Sequence, residues 1–227
     1  MKRRYGAPAD FTEQDTGGIR ARPRLIVGIS GASGVIYGAR LLELLRPLPV
    51  ETHLVISRTA DLTLVVETDL KPATVRSRAD VVHANSDLAA PISSGSFKTM
   101  GMVVAPCSIR SMAEIASGVT TTLLSRAADV VLKERRRLVL LVRETPLHTG
   151  HLRTMTTLSE MGAVIAPPVP AFYAKPQTLE EMIDQTLGRV LDLFDLETGL
   201  VRRWGEPNAE AGEGAHRTRE KPRRGME

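Results

Sequence analysis

The patterned part of the chain begins at Arg24-Leu-Ile-Val-Gly-Ile-Ser30, a short apolar run. Gly31-Ala-Ser-Gly34 interrupts it, and Ile36, Leu41, Leu42, Leu44 and Leu45 then recur at helical spacing. This is the signature of a buried strand, a tight turn and an amphipathic helix. The pairing repeats. Val50–Ile56, Met102–Ala105, Leu138–Val142 and Ala163–Ala166 read as further strands, and helical stretches fall near Thr59–Val66, Ser111–Ser117, Leu123–Arg136, Leu152–Met161 and Leu179–Phe194. Strands that are apolar throughout, rather than alternating, belong to sheets covered on both faces. The order therefore predicts an α/β fold, a Rossmann-like (flavodoxin-like) doubly wound parallel sheet, in a single domain over 23–205. Ligands of such sheets bind beyond the carboxyl ends of the strands, so the residues that follow each strand are the ones to search for chemistry.

Outside these limits the pattern stops. Residues 1–22 and 206–227 are polar, rich in Gly and Pro and nearly free of branched aliphatics, which predicts a flexible N-terminal extension and a disordered C-terminal tail. Of the 227 residues, 42% are hydrophobic and 25% charged, the balance of an ordinary globular domain. No apolar run approaches the roughly 18 residues that span a bilayer, and 1–19 has no signal-peptide core, so the expectation is a cytoplasmic protein without a membrane span. The net charge of +4 is thinly spread, with 20 basic against 18 acidic residues over 23–205. That lacks the concentrated basic stripe of a nucleic-acid-binding surface, and no nucleic-acid partner is expected. Cys107, the single cysteine, excludes an internal disulfide and fits a reducing compartment. It reads as a small buried apolar residue, since an activated thiolate needs a cationic or helix-terminal setting.

The candidate chemistry follows the strands. Glycines in Gly28-Ile-Ser-Gly31-Ala-Ser33-Gly34 let a ligand approach the backbone, and the next helix start offers N–H groups to an anion, although a plain strand-to-helix turn has the same composition. The spacing is not the G-x-G-x-x-G of dinucleotide folds, which argues against NAD. Ser57-Arg58 and Pro106-Cys-Ser108-Ile-Arg110-Ser111 bring hydroxyls to two further strand ends; either can be a helix cap, and together they can hold a phosphorylated ligand. Arg143-Glu144 combines an anion-binding group with a proton carrier, or is a surface ion pair. His148 and His151 lie three apart, but two histidines without a third ligand do not make a metal site, and none is expected. Arg135-Arg-Arg137 reads as a solvated helix face.

Six segments in order, Gly31-Ala-Ser-Gly34, Ile92-Ser-Ser-Gly-Ser-Phe97, Pro106-Cys-Ser108, Arg126 to Arg135, Arg143-Glu-Thr-Pro-Leu-His148 and Pro167 to Tyr173, closely resemble the UbiX-type flavin prenyltransferases of bacteria. The resemblance runs from about Leu25 to Trp204. It implies transfer of a dimethylallyl group from dimethylallyl monophosphate to N5 and C6 of reduced FMN, giving a prenylated cofactor for a UbiD-type decarboxylase, with an external flavin reductase supplying the reduced flavin. Carried over by position, Gly31, Ala32, Ser33, Ser57, Ser108, Ile109, Arg110, Ser111 and Arg143 are the implied FMN contacts. Lys133, Tyr173 and Arg189 are the implied prenyl-phosphate clamp, with Ser94 nearby and Arg126 reaching a neighbouring subunit's site. Glu144 is the implied proton-transfer residue, with Glu67 and Ser33 as further catalytic candidates, and the assembly implied is a homo-oligomer, trimer or dodecamer. Some family members carry a tryptophan just after the aspartate equivalent to Asp87; Leu88 stands here. The alternatives are a cysteine decarboxylase of related fold, whose Pro-Ala-Ser-Ala-Asn segment is replaced by Pro106-Cys-Ser-Ile-Arg110, and a non-catalytic carrier of FMN or prenylated FMN, which would not need the clamp.

Overall fold

The structure, a computed structural model, describes residues 22–205. The extensions expected at 1–22 and 206–227 lie outside these residues except for Arg22, which pairs with Asp80 at 2.8 Å. Six parallel strands form one sheet, β1 (Arg24–Ile29), β2 (Glu51–Ile56), β3 (Val81–His83), β4 (Gly101–Cys107), β5 (Arg137–Val142) and β6 (Val164–Ile165), in the order β3-β2-β1-β4-β5-β6. The order reverses between β1 and β4, which pair in register from Leu25 opposite Gly101 to Gly28 opposite Val104. Beyond their carboxyl ends lies the crevice that a doubly wound sheet offers to ligands.

The expected helices form at shorter or shifted bounds: α1 (Ile36–Leu45), α2 (Arg58–Glu67), α4 (Ile109–Ser117), α5 (Leu123–Lys133), α6 (Thr149–Glu160) and α7 (Leu179–Asp192), with a short α3 (Pro72–Arg76) besides. Apolar side chains split between two faces. Leu25, Val27, Leu41, Leu45, Leu54, Leu187, Val190 and Leu191 fill one, and Ile26, Met102, Val104, Leu124, Val131, Leu138 and Leu140 the other. This explains why β1 and β5 are apolar at every position after the arginine that opens each, and why β4 is buried throughout. Arg40 of α1 clasps Asp184 of α7 through two bonds, 2.7 and 2.9 Å, and braces the first layer.

Three features depart from the sequence reading. The edge strand β3 was not foreseen; it has three residues, none fully buried, so no apolar run announces it. Helix α5 stops at Lys133 and not Arg136, because Arg135 takes a positive φ of 56° and turns the chain into β5. The arginine run is therefore not a solvated helix face. Arg136 donates to the carbonyls of Phe97 (2.8 Å) and Gly95 (2.6 Å), and Arg137 begins β5 with its guanidinium near the Phe194 ring.

Candidate functional site

Four of the post-strand segments meet at the carboxyl end of the sheet. Ser30, 1% exposed, joins two of them: its hydroxyl donates to Pro106 O (2.9 Å) and accepts from Ser108 N–H (2.7 Å). Ser57 N–H donates to Ile29 O and Arg143 N–H to Cys107 O, which ties in the ends of β2 and β5. The local sequence suits each join. Gly31 is required because a Cβ there would come within 2.4 Å of Thr59 Cβ in the first turn of α2, and Gly34 because its φ is +90°.

The crevice presents donors from three directions. Ser57 caps α2, accepting from Ala60 N–H at 3.1 Å, and Ser108 caps α4, accepting from Ser111 N–H at 3.2 Å, so both serines are helix caps at the candidate site. Within the described residues, the first-turn N–H groups of Arg58, Thr59, Ile109 and Arg110 and those of Gly31 and Ser33 have no protein partner. Two helix amino ends and a glycine loop facing one cleft suit a phosphate-bearing ligand. Ala32 N–H is spent on Ser30 O, so Ala32 can contribute only its small side chain and carbonyl. Arg110 pairs with Glu114 at 2.9 Å.

Glu67 lies close to Ser33, with Oε2 accepting from Gly34 N–H (2.7 Å) and Val35 N–H (3.3 Å). A carboxylate at the amino end of α1 steadies the loop that carries the exposed Ser33. On the opposite rim Arg143 and Glu144 are exposed after β5; Glu144 Oε1 accepts from Thr145 N–H at 2.9 Å, and Arg143 has no ion pair among the described residues. Arg143 and Glu144 therefore do not pair with each other. His148 caps α6 by accepting from Gly150 N–H, and its ring lies 3.6 Å from that of His151. Cys107 is fully buried, and burial pushes its thiol up to about 12.

The clamp residues are not brought to this cleft within one chain. Lys133 ends α5 beside Gly95 and pairs with Glu134, whose carboxyl the Lys133 hydrogen bond holds below its usual range. This is the entry to β5, whereas Glu144 follows its exit, and six residues of strand separate the two ends by about 20 Å. Ser94 is on the Lys133 side, hydrogen-bonded to Ser96. Arg126 donates to Ser93 O (3.2 Å) and pairs with Asp129 (2.8 Å). Tyr173 and Arg189 belong to the other face of the sheet. Tyr173 meets Gln185 of α7, and Arg189, in the last turn of α7, pairs with Asp192. Sequence reasoning missed Ser30 and Gln185, both buried polar side chains whose partners are distant in the chain.

A doubly wound sheet with a donor-lined cleft at its switch point defines a nucleotide-binding α/β protein, and residues 16–203 match the flavoprotein family. The chain belongs to that family, and within it to the UbiX flavin prenyltransferases. It is 60% identical to the flavin prenyltransferase UbiX of Escherichia coli K12 over 184 residues, 80% of this chain and 97% of that one. A UbiX crystal structure with FMN and dimethylallyl pyrophosphate superposes with TM-score 0.80 at 55% identity, covering 82% of this chain and 98% of that one. A dodecameric FMN-dependent UbiX-like decarboxylase from Escherichia coli O157:H7 superposes with TM-score 0.79 at 49% identity, covering 81% and 100%. Among the described residues no helix is long and apolar enough to cross a membrane, and no cluster of three or more His, Cys, Asp or Glu could hold a metal ion.

Proposed function

We propose that the chain transfers a dimethylallyl group from dimethylallyl monophosphate to N5 and C6 of reduced FMN and releases phosphate. The observation that carries this reading is the convergence of three sets of N–H donors on one cleft, with Arg143 and Glu144 on its rim, in a chain of this family. Reduced FMN, when bound, supplies the nucleophilic ring atoms. The residues supply the rest. The glycine loop with Ser33, the Ser57 cap and the Ser108–Ser111 turn hold the ribityl phosphate, and Arg143 faces the flavin. Lys133, Arg189 and Tyr173 receive the charge that gathers on the departing phosphate, an interaction stronger in the transition state than before it. Glu144, or the released phosphate, takes the proton that leaves C6 as the second ring bond closes.

Since Lys133 and Ser94 stand a strand's length from Glu144, one chain cannot supply both halves of this site. The reading therefore requires a neighbouring copy, with Arg126 at the junction, in a trimer or a dodecamer like that of the relative from Escherichia coli O157:H7. Exposed Leu62, Val65 and Val66 on α2 offer apolar surface for such contacts. The product serves a UbiD-type decarboxylase, an external reductase delivers the reduced flavin, and the enzyme works in the cytoplasm. A PPC decarboxylase of similar fold is 17% identical and speaks to the fold alone.

Incubation of the purified protein with reduced FMN and dimethylallyl monophosphate, followed by mass analysis of the flavin, tests the reading. A flavin heavier by one C5H8 unit is expected; unmodified flavin under strictly anaerobic conditions would leave only a carrier.

A further inference from the structure

Gln185, in the middle of α7, is 4% exposed, and its carboxamide makes three hydrogen bonds. Its Oε1 accepts from Arg202 N–H (2.8 Å), and its Nε2 donates to Arg202 O (3.1 Å) and to the Tyr173 hydroxyl (3.3 Å). A buried carboxamide that binds both polar backbone atoms of one residue acts as a latch on that segment. The latched piece is Val201–Gly205. Val201 lies over Gly188, where a Cβ would come within 2.4 Å of its methyl group. Arg202 donates a second time, to Ala174 O at 2.8 Å, and Trp204 meets the Tyr173 ring edge-on at 5.6 Å. Arg203 pairs with Asp192, the same carboxylate that holds Arg189.

The segment thus crosses α7 as a strap and touches the supports of Tyr173 and Arg189 at once. Between the strap and the loop before α7 lies a cleft of about 250 Å³, lined by Tyr173, Lys175, Arg202, Arg203 and Trp204 among others.

We propose that Gln185 is a positioning residue for the prenyl donor: it fastens the strap to α7 and thereby sets the Tyr173 hydroxyl and the Arg189–Asp192–Arg203 array for the donor phosphate. This rests on the assignment of Tyr173 and Arg189 to the donor clamp. Gln185 itself touches no reacting atom. It acts through Tyr173 and the strap, while the flavin cleft at the carboxyl ends of β1 and β4 is built without it.

The test compares Gln185→Met, which keeps the volume and removes all three bonds, with Gln185→Glu, which keeps the acceptor for Arg202 N–H and can receive the Tyr173 hydroxyl proton. Tyr173→Phe and Arg189→Ala are measured beside them. Trp204 is the only tryptophan of the chain, so its fluorescence anisotropy reads the strap directly. In Gln185→Met, KM for dimethylallyl monophosphate is expected to rise about 10- to 100-fold, the scale of a misplaced positioning group. FMN affinity should hold, and Trp204 anisotropy should fall. Gln185→Glu should restore most of both. An unchanged donor KM in Gln185→Met beside a raised one in Tyr173→Phe and Arg189→Ala overturns the positioning role and leaves the clamp standing. Unchanged donor KM in those two variants overturns the clamp and the positioning role together. Equal loss of FMN and donor binding in Gln185→Met makes Gln185 merely structural. In the wild-type holoenzyme, hydrogen exchange gives an answer that needs no variant: the Arg202 amide should be protected, and free exchange would overturn the latch.

Discussion

Ser30→Ala is the substitution whose consequence follows most directly from the geometry. The hydroxyl donates to Pro106 O at 2.9 Å and accepts from Ser108 N–H at 2.7 Å. Pro106 O keeps a second donor, Ser30 N–H at 3.2 Å, so only the Ser108 N–H is stranded when the hydroxyl goes. A buried donor left without a partner costs about 1–3 kcal/mol, and the void left by one oxygen adds little. The expected destabilisation is about 2 kcal/mol, which lowers Tm by about 4–8 °C in a domain of this size. Ser108 also opens α4, so its release should loosen the turn that faces the flavin and raise the Kd for FMN about tenfold, or about 1.4 kcal/mol. Thermal unfolding of the apoprotein by circular dichroism and calorimetric titration with FMN read the two effects. Ser33→Ala is the control for Tm alone, because Ser33 is exposed and supports no other strand end. A Ser30→Ala protein that matches wild type in both Tm and FMN affinity would refute the view that this hydroxyl joins the two halves of the cleft.

Glu144→Gln should leave FMN affinity nearly unchanged and slow flavin alkylation about 100- to 10,000-fold in single-turnover measurements, the range of a positioned acid or base; near-wild-type alkylation would remove Glu144 from the chemistry. Lys133→Ala and Arg189→Ala should each weaken capture of the prenyl phosphate and spare FMN, and loss of FMN in either would reassign the clamp. Cys107, with its thiol pushed up to about 12, should resist Ellman's reagent at pH 8 in the folded protein and react fully in denaturant, so rapid labelling of the native state would contradict its burial. Burial lowers the His83 pKa from its ordinary 6.5, His53 adding to the shift and Asp87 opposing it. The unfolded chain therefore takes up this proton first as pH falls. Its contribution to stability is intact above about 6.5 and erodes on acidification towards the folded value. Urea unfolding at pH 7.5 and 5.5 should show a smaller loss in His83→Asn than in wild type, and equal losses would exclude His83.

The strands most legible in the sequence are those whose apolar run is unbroken after the opening arginine. β1 and β5 were found almost to the residue because both faces of the central sheet are covered. β4 runs from Gly101 to Cys107, past the limits drawn at Met102 and Ala105, since Gly101 and Pro106 look like strand breakers in isolation. β3 escaped because three residues at a sheet edge need no apolar run. The site divided in the same way. Segments after strands could be found because topology gathers them at the carboxyl end of the sheet. The proposed clamp could not be located from one chain's pattern, because Lys133 and Glu144 are close in sequence and a strand apart in space. Ser30 and Gln185 were invisible for another reason. A serine in a glycine-rich run and a glutamine on a helix show their partners only when segments 76 and 17 residues away are folded against them.

The bracing of α1 by α7 has a consequence for the ribosome. Strand β1 and helix α1 emerge before the other elements of the sheet, yet Leu187, Val190, Leu191 and Phe194 complete the apolar layer they begin. That apolar face stays incompletely covered until α7 has been translated, well over a hundred residues later. A translating chain halted before Leu179 should therefore hold chaperones at that face, and one halted after the strap has cleared the exit tunnel should let them go.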